Sequence, residues 1–159
     1  MTPEQARQVQ AAALVVAAYC RGESAALDVL LFDQLAADPP ARQTDDVARG
    51  MVLLAIAAGE TLAQARGVSF DQVLAELPRR DEGLISGAPS RWDDVAGLVR
   101  GIRAGQDPPP SPELDLEVVL STGFDIALAT VTQMSAHLGK SPEEMASVMA
   151  EGATRETRQ

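Results

Sequence analysis

Residues 45–78 read DDVARGMVLLAIAAGETLAQARGVSFDQVLAELP, and this stretch decides the fold class. It opens with a pair of aspartates, which would meet the positive end of a helix dipole. Gly67 supplies the left-handed residue that commonly ends a helix, and Ser69 offers the N-cap of the next helix. Pro78 cannot continue that second helix. The stretch therefore predicts a long helix, a tight turn and a short helix.

The same pattern recurs 72 residues further along the chain, when Gly67 is superimposed on Gly139. This register aligns apolar positions in both units, with the pairs Val47–Val119, Ala55–Ala127, Ile56–Leu128, Leu62–Met134 and Leu77–Met149. A fainter third unit aligns Gly22 with Gly67. A chain of helical hairpins, each burying its apolar stripe against its neighbours, would give this internal repeat. Chance similarity between amphipathic helices is the alternative.

Helix-start signals of a hydroxyl, a proline and an acid occur at residues 2–4, 111–113 and 141–143, and Ser90 offers a further cap. Together with glycine and proline stops, these signals predict about seven helices, at 3–20, 25–37, 45–66, 70–78, 91–103, 113–138 and 142–152. No segment alternates apolar and polar residues long enough to form a strand. We expect one all-α domain over residues 1–159, an array or bundle of helix–turn–helix hairpins. Residues 79–110 would form a loop, short-helix and proline-rich insert between two hairpin units.

Composition limits the classes of function. The net charge of −10 argues against binding to the phosphates of nucleic acids. The longest uninterrupted apolar run, residues 11–20, is half of the roughly 20 residues that span a bilayer. The segment before it carries Glu4 against Arg7 and so lacks the basic region of a signal peptide. We therefore expect a cytoplasmic protein without a membrane partner, in which the single cysteine, Cys20, is a structural thiol.

Residues 61–73, TLAQARGVSFDQV, resemble part of the helix-turn-helix signature of DNA-binding repressors. That resemblance implies a recognition helix whose base-reading residues would be Phe70, Asp71, Leu74 and Ala75. Such an acidic and apolar helix cannot neutralise phosphates or form the arginine contacts that specify guanine. We interpret the segment as a structural turn, and DNA binding as a less favoured function.

Candidate catalytic and metal-binding residues are few. The paired acids of the predicted first turns are explained by the helix dipole, and the lone His137 lacks a companion ligand at metal-binding spacing. Glu60 and Asp125 stand in the middle of apolar helices, where an enzyme would use one of them as an acid or base. Helical spacing places Asp125 in a small and polar strip, which we interpret as solvated or inter-helical. We assign no catalytic residue, no metal and no cofactor, and we lean against an enzyme.

Two surfaces are predicted instead. Small residues on the two longest predicted helices exceed what one partner helix can cover, and we expect an interaction face at Gly50, Ala57, Gly59, Gly123 and Ala127. Because twofold homodimers are the commonest oligomers, this face favours a homodimer. The sequence thus predicts a non-enzymatic interaction, adaptor or regulatory protein with a protein partner. The alternative is a module that binds an apolar small molecule in a pocket lined by Tyr19, Phe32, Phe124, Leu128 and Met134.

Overall fold

The computed structural model describes residues 2–23, 42–84, 89–105 and 116–157. Within these ranges the protein is all-helical, which confirms the predicted class, and its only β-type pairing there is an isolated bridge between Glu82 and Pro89. The helices are α1 Pro3–Cys20, α2 Arg42–Arg66, α3 Phe70–Glu76, α4 Trp92–Arg103, α5 Leu116–Leu138 and α6 Pro142–Thr157. The predicted helix at 25–37, together with Phe32, lies outside the described residues.

Side-chain caps start three of the helices where the sequence predicts them. The Thr2 hydroxyl accepts a hydrogen bond from the Gln5 amide at 3.1 Å, and the Gln5 side chain accepts one from the Thr2 amide at 2.9 Å. Ser69 accepts from the Gln72 amide and Ser141 from the Glu144 amide, each at 3.1 Å. These bonds satisfy amide groups that the first turn of a helix leaves without a partner.

Three helices end in the same backbone turn, each at a glycine with positive φ. The angles are 84° at Gly22, 68° at Gly67 and 69° at Gly139. In each turn the amide after the glycine donates back to a carbonyl five residues earlier, for example from Val68 to Ala63 at 3.0 Å. This is the Schellman motif, which requires a left-handed residue and therefore favours glycine.

Several boundaries differ from the prediction. Helix α2 begins three residues earlier, at Arg42, and α6 continues to Thr157 because Gly152 keeps a negative φ and does not end it. Helix α3 ends at Glu76 because Leu77 precedes a proline and takes extended backbone, with ψ of 141°. The predicted cap at Ser90 is wrong. Helix α4 starts at Trp92, one residue later than predicted, with Arg91 as its N-cap residue and no side-chain cap. The Ser90 amide donates to the carbonyl of Asp81, at 2.8 Å.

The four long helices surround one core. Helix α1 packs between α2 and α6, while α5 packs along α2 and also contacts α6. Helix α3 lies on α2, and α4 packs on α5 and α2, so the predicted insert contributes Trp92, Val95 and Val99 to the same core. Aliphatic and small side chains fill this core, as the aromatic content of 3% requires.

Helix α5 is largely buried in the fold. Between Val118 and Leu138 it is long and apolar enough to cross a membrane by length and composition, yet 67% of its most apolar window is buried inside the fold. A count of uninterrupted apolar residues misses this helix because Ser121, Thr122 and Asp125 interrupt it. Burial of this extent is the pattern of a core helix in a soluble domain.

Candidate functional site

A polar strip lies in the middle of the apolar helix α5. Ser121, Thr122 and Asp125 are all buried, and Asp125 is only 2% exposed. Residues three apart lie on one side of a helix, so Thr122 and Asp125 point in a common direction. They face the α3–α4 connection, of which the structure describes residues 77–84 and 89–91.

The polar strip binds the backbone of this connection. Asp125 Oδ1 accepts a hydrogen bond from the Leu84 amide at 3.1 Å. One turn earlier on α5, the Thr122 hydroxyl accepts from the Arg91 amide at 3.3 Å. The two halves of the connection are joined to each other by the bond from the Ser90 amide to the Asp81 carbonyl. Side chains of α5 thus supply acceptors that an irregular segment cannot find in itself.

Two polar atoms at this contact are buried without a hydrogen-bond partner in the structure. They are the second carboxyl oxygen of Asp125, Oδ2, and the hydroxyl oxygen of Ser90. A buried polar atom that loses its water without gaining a partner costs about 1–3 kcal/mol. Packing the connection against α5 therefore costs free energy at one atom of the helix and at one atom of the connection.

Burial changes the protonation of Asp125. The pKa of this carboxyl is raised from 3.8 to about 6, mainly by desolvation, because burial disfavours the charged form. The Leu84 amide bond and the charge of Arg80 act in the opposite direction and lower the pKa, but they offset only part of the desolvation. At neutral pH a carboxyl with this pKa is largely ionised, although the Asp125 side chain is buried. Of the two predicted environments of Asp125, solvated or inter-helical, the solvated one is wrong, because the side chain is buried against the α3–α4 connection.

Glu60, the other acid singled out in the sequence, has a different environment. It is exposed on α2 and forms an ion pair with Arg103 of α4, with 3.0 Å between Oε1 and Nε. The guanidinium of Arg103 also stacks over the ring of Phe70, 4.6 Å from its centroid. A solvated carboxylate in an ion pair of this kind is a surface contact between helices.

The predicted apolar pocket is represented by four residues in the described part of the chain. Tyr19 and Phe124 form an edge-to-face pair with ring centroids 5.1 Å apart. Phe124 and Met134 are buried in the core, while Tyr19 and Leu128 are partly buried against it. The structure thus brings Tyr19 and Phe124 into contact, and the aromatic pair connects the core to the surface at the end of α1.

The residues of the predicted interaction face have neighbours within the chain. A Cβ added to Gly50 would overlap with the backbone carbonyl of Gln8 on α1, and one added to Gly59 would lie 2.6 Å from the Phe70 ring. Gly123 lies against Met51, and Ala127 is fully buried. Ala57 alone of the five is partly exposed. The small residues of this predicted face therefore allow helices of one molecule to approach closely.

Large apolar side chains are exposed elsewhere, at positions that sequence reasoning missed. Leu14 on α1 is 54% exposed, Val148 on α6 is 46% exposed and Leu138 at the end of α5 is 48% exposed. Position 14 follows Arg7 by seven residues and precedes Arg21 by seven, so it lies on the same solvent side as two charged residues. This seven-residue spacing from two arginines could have indicated from the sequence that Leu14 is exposed.

The remaining candidates are structural contacts. Phe70 and Leu74, two of the base readers implied by the helix-turn-helix resemblance, are buried in the core, and α3 has seven residues. Burial raises the pKa of the Cys20 thiol, with a further contribution from Glu143. In the described ranges, no three His, Cys, Asp or Glu side chains come close enough together to hold a metal ion. Comparison with protein families, curated proteins and solved structures found no significant match to this chain.

Proposed function

We propose that this chain is a non-enzymatic cytoplasmic interaction protein, an adaptor or regulator that works as a homodimer. The observation that carries the proposal is the half-exposed pair Leu14 and Val148, on the neighbouring helices α1 and α6. The homodimer, and a further protein as its binding partner, were already predicted from the sequence. The proposed dimer interface therefore lies on α1 and α6, and not on the small residues of α2 and α5 that the sequence predicted.

The charges around the two apolar residues support self-association. Arg7 of α1 and Arg21, the residue that caps the end of α1, are exposed on either side of Leu14. On α6, Glu144 and Glu151 are exposed on either side of Val148. We call these six residues the α1–α6 surface. In a twofold dimer each patch meets its counterpart, so a basic stripe of one copy can lie against an acidic stripe of the other. The surface is self-complementary in charge and in its apolar centre.

The test is the oligomeric state of the full chain by light scattering coupled to size exclusion, over a range of concentrations. We expect a dimer for the wild type and a monomer for the double variant Leu14→Glu/Val148→Glu. The matched control is Thr61→Glu/Gln64→Glu, which adds the same charge at exposed positions of α2 and should leave the dimer intact. A wild type that stays monomeric at the highest concentration contradicts the proposal.

The second candidate function is the binding of an apolar small molecule, and the Tyr19–Phe124 pair supports it. Because Tyr19 is partly buried while Phe124 is fully buried, a ligand could reach the core by displacing one ring. Leu128, Met134 and Phe32 complete the proposed pocket. Thermal-shift assays with long-chain alcohols or fatty acids test this function. A melting temperature that no apolar compound raises would remove it.

We also propose that the scaffold is a repeat of helical hairpins, with a seventh helix at 25–37 completing the first unit. Support comes from the shared Schellman turns and from the contact of Met51 with Gly123, which are equivalent positions in the 72-residue register. Backbone chemical shifts of the full chain test the seventh helix directly. Superposition of residues 47–77 on 119–149 in a crystal structure tests the repeat, and unrelated helix angles in the two units would refute it.

A further inference from the structure

We propose that Asp125 is a protonation-dependent latch that holds the described residues of the α3–α4 connection on helix α5. The contacts of the Asp125 carboxyl group support this role. Its Oδ1 is the acceptor of the Leu84 amide, its Oδ2 has no partner, and the residue is buried between the connection and the helix. The latch concerns the regulation of this one segment and is independent of the proposed homodimer.

Opening of the contact between the connection and α5 would expose to water the two polar atoms that have no hydrogen-bond partner in the closed contact. When residues 77–84 and 89–91 lift from α5, Asp125 Oδ2 and the Ser90 hydroxyl both become solvated. The bonds lost are those from the Leu84 amide and from the Arg91 amide, and water replaces both. Opening also exposes apolar surface, because Leu77 is buried in the core and Leu84 packs against it. Solvation of the two unpartnered atoms offsets part of that cost.

Charged side chains of the connection and of the helices packed around α5 form ion pairs with one another. On the connection and α4, Arg79 pairs with Asp93 at 2.8 Å and Arg91 pairs with Asp94 at 2.6 Å. On the other helices of the core, ion pairs join Asp45 to Arg49, Glu60 to Arg103 and Arg21 to Glu143, while Asp46 accepts a hydrogen bond from the neutral Gln8 side chain. Arg80, exposed on the connection, is the charged side chain that acts on Asp125, while Asp81 and Glu82 are exposed to solvent. No buried cation of the described residues compensates the carboxylate.

Protonation therefore favours the closed state, and ionisation favours the open one. An ionised Asp125 in the closed contact keeps an unsolvated charge, whereas in the open state water surrounds it. For a carboxyl with a pKa of about 6 when closed and 3.8 when solvated, the equilibrium constant for opening rises about tenfold between pH 5 and pH 8. Above the closed-state pKa the rise levels off.

The experiment is hydrogen exchange of the Leu84 and Arg91 amides in the full chain, followed by NMR from pH 5 to pH 8 and corrected for the intrinsic exchange rate. The expected result is the tenfold loss of protection for both amides together. In Asp125→Asn, which keeps an oxygen acceptor without an ionisable proton, protection should be independent of pH. Glu60→Gln removes an exposed carboxylate and should behave as the wild type does. Equal pH dependence in Asp125→Asn and the wild type would overturn the latch.

A second measurement covers the case in which Asp125→Asn does not fold. The carboxyl carbon of Asp125 can be titrated by NMR in the wild-type protein, and its midpoint compared with the midpoint of the change in amide protection. Coincident midpoints well above pH 4 support the latch. A carboxyl that titrates at its ordinary value, or amide protection that changes without it, refutes the latch and leaves the proposed homodimer untouched.

Discussion

The backbone carbonyl of Gln8 occupies the place where a side chain on residue 50 would begin. Gly50 of α2 sits directly on the first turns of α1, and a Cβ there would also lie 3.0 Å from the Cβ of Ala12. Since the obstructing atoms belong to backbone and to a methyl group, no rotation of a side chain can relieve the overlap. The two helices can cross at this distance only because residue 50 is a glycine.

Gly50→Ala is therefore expected to lower the free energy of unfolding by about 3 kcal/mol or more, since α1 must shift away from α2. The matched control is Gly97→Ala on α4, where a Cβ would meet nothing within 4 Å. In that exposed helix interior alanine should stabilise the protein by up to about 1 kcal/mol. Chemical denaturation of both variants measures the difference, and equal effects would contradict the close approach of α1 and α2.

Gly59 provides a second, softer contact. A Cβ on it would lie 2.6 Å from the edge of the buried Phe70 ring, the residue that anchors α3 on α2. We expect Gly59→Ala to destabilise the protein by about 1–3 kcal/mol. In the double variant Gly59→Ala/Phe70→Leu, the smaller side chain makes room for the methyl group. The two losses should then be less than additive in a double-mutant cycle. Strict additivity would show that the two positions do not touch.

Asp125 makes the stability of the fold depend on pH. Because its folded-state pKa of about 6 lies above the unfolded value of 3.8, its neutral form contributes stability that is fully present below about pH 4. That contribution is lost as the pH rises through about 6, and by pH 8 the loss amounts to about 3 kcal/mol. Asp125→Asn should be more stable than the wild type at pH 8 by up to this amount, and nearly equal to it at pH 4.

Denaturation curves of both proteins at the two pH values measure this linkage. Glu60→Gln is the control for removal of a carboxylate as such. Its ion pair with Arg103 is exposed, so the change should stay below about 1 kcal/mol at either pH. If the wild type and Asp125→Asn lose stability in parallel between pH 4 and pH 8, the burial of an ionised Asp125 is not the cause.

The helix boundaries were largely readable from the sequence because they depend on chemistry within a few residues. Ser69, Ser141 and the glycines that precede them specify a cap and a turn locally, and the structure has both as predicted. Ser90 shows where such reasoning ends. The helix begins one residue later than its cap signal predicts, and the Ser90 amide bonds to Asp81, a partner set by the path of the connection.

The candidate site was not readable in the same way. Asp125 and Thr122 form a polar strip that fits solvent as well as it fits a helix contact, and the segment that covers Asp125 is bonded through Leu84, 41 residues away. The small residues of α2 and α5 had the same ambiguity, because a glycine-rich face serves a second molecule or a neighbouring helix equally well. Only tertiary contacts, such as Gly50 on Gln8, distinguish the two.

The α1–α6 surface offers a test in which two variants rescue each other. In a twofold dimer joined through this surface, the stripe with Arg7 and Arg21 of one copy faces the stripe with Glu144 and Glu151 of the other. Arg7→Glu/Arg21→Glu makes both stripes of a molecule acidic, and Glu144→Arg/Glu151→Arg makes both basic. Each variant alone should be monomeric, because like charges face each other across the interface.

A mixture of the two charge-reversed variants should form a heterodimer, since an acidic stripe then meets a basic one in both halves of the interface. General attraction between oppositely charged molecules is a poor alternative explanation. The wild-type net charge is −10 and each variant changes it by four, so both variants remain acidic. Native mass spectrometry of differently tagged variants measures the pairing, and circular dichroism checks that both are folded. A mixture that yields only monomers, or variants that still self-associate, would place the dimer interface elsewhere on the molecule.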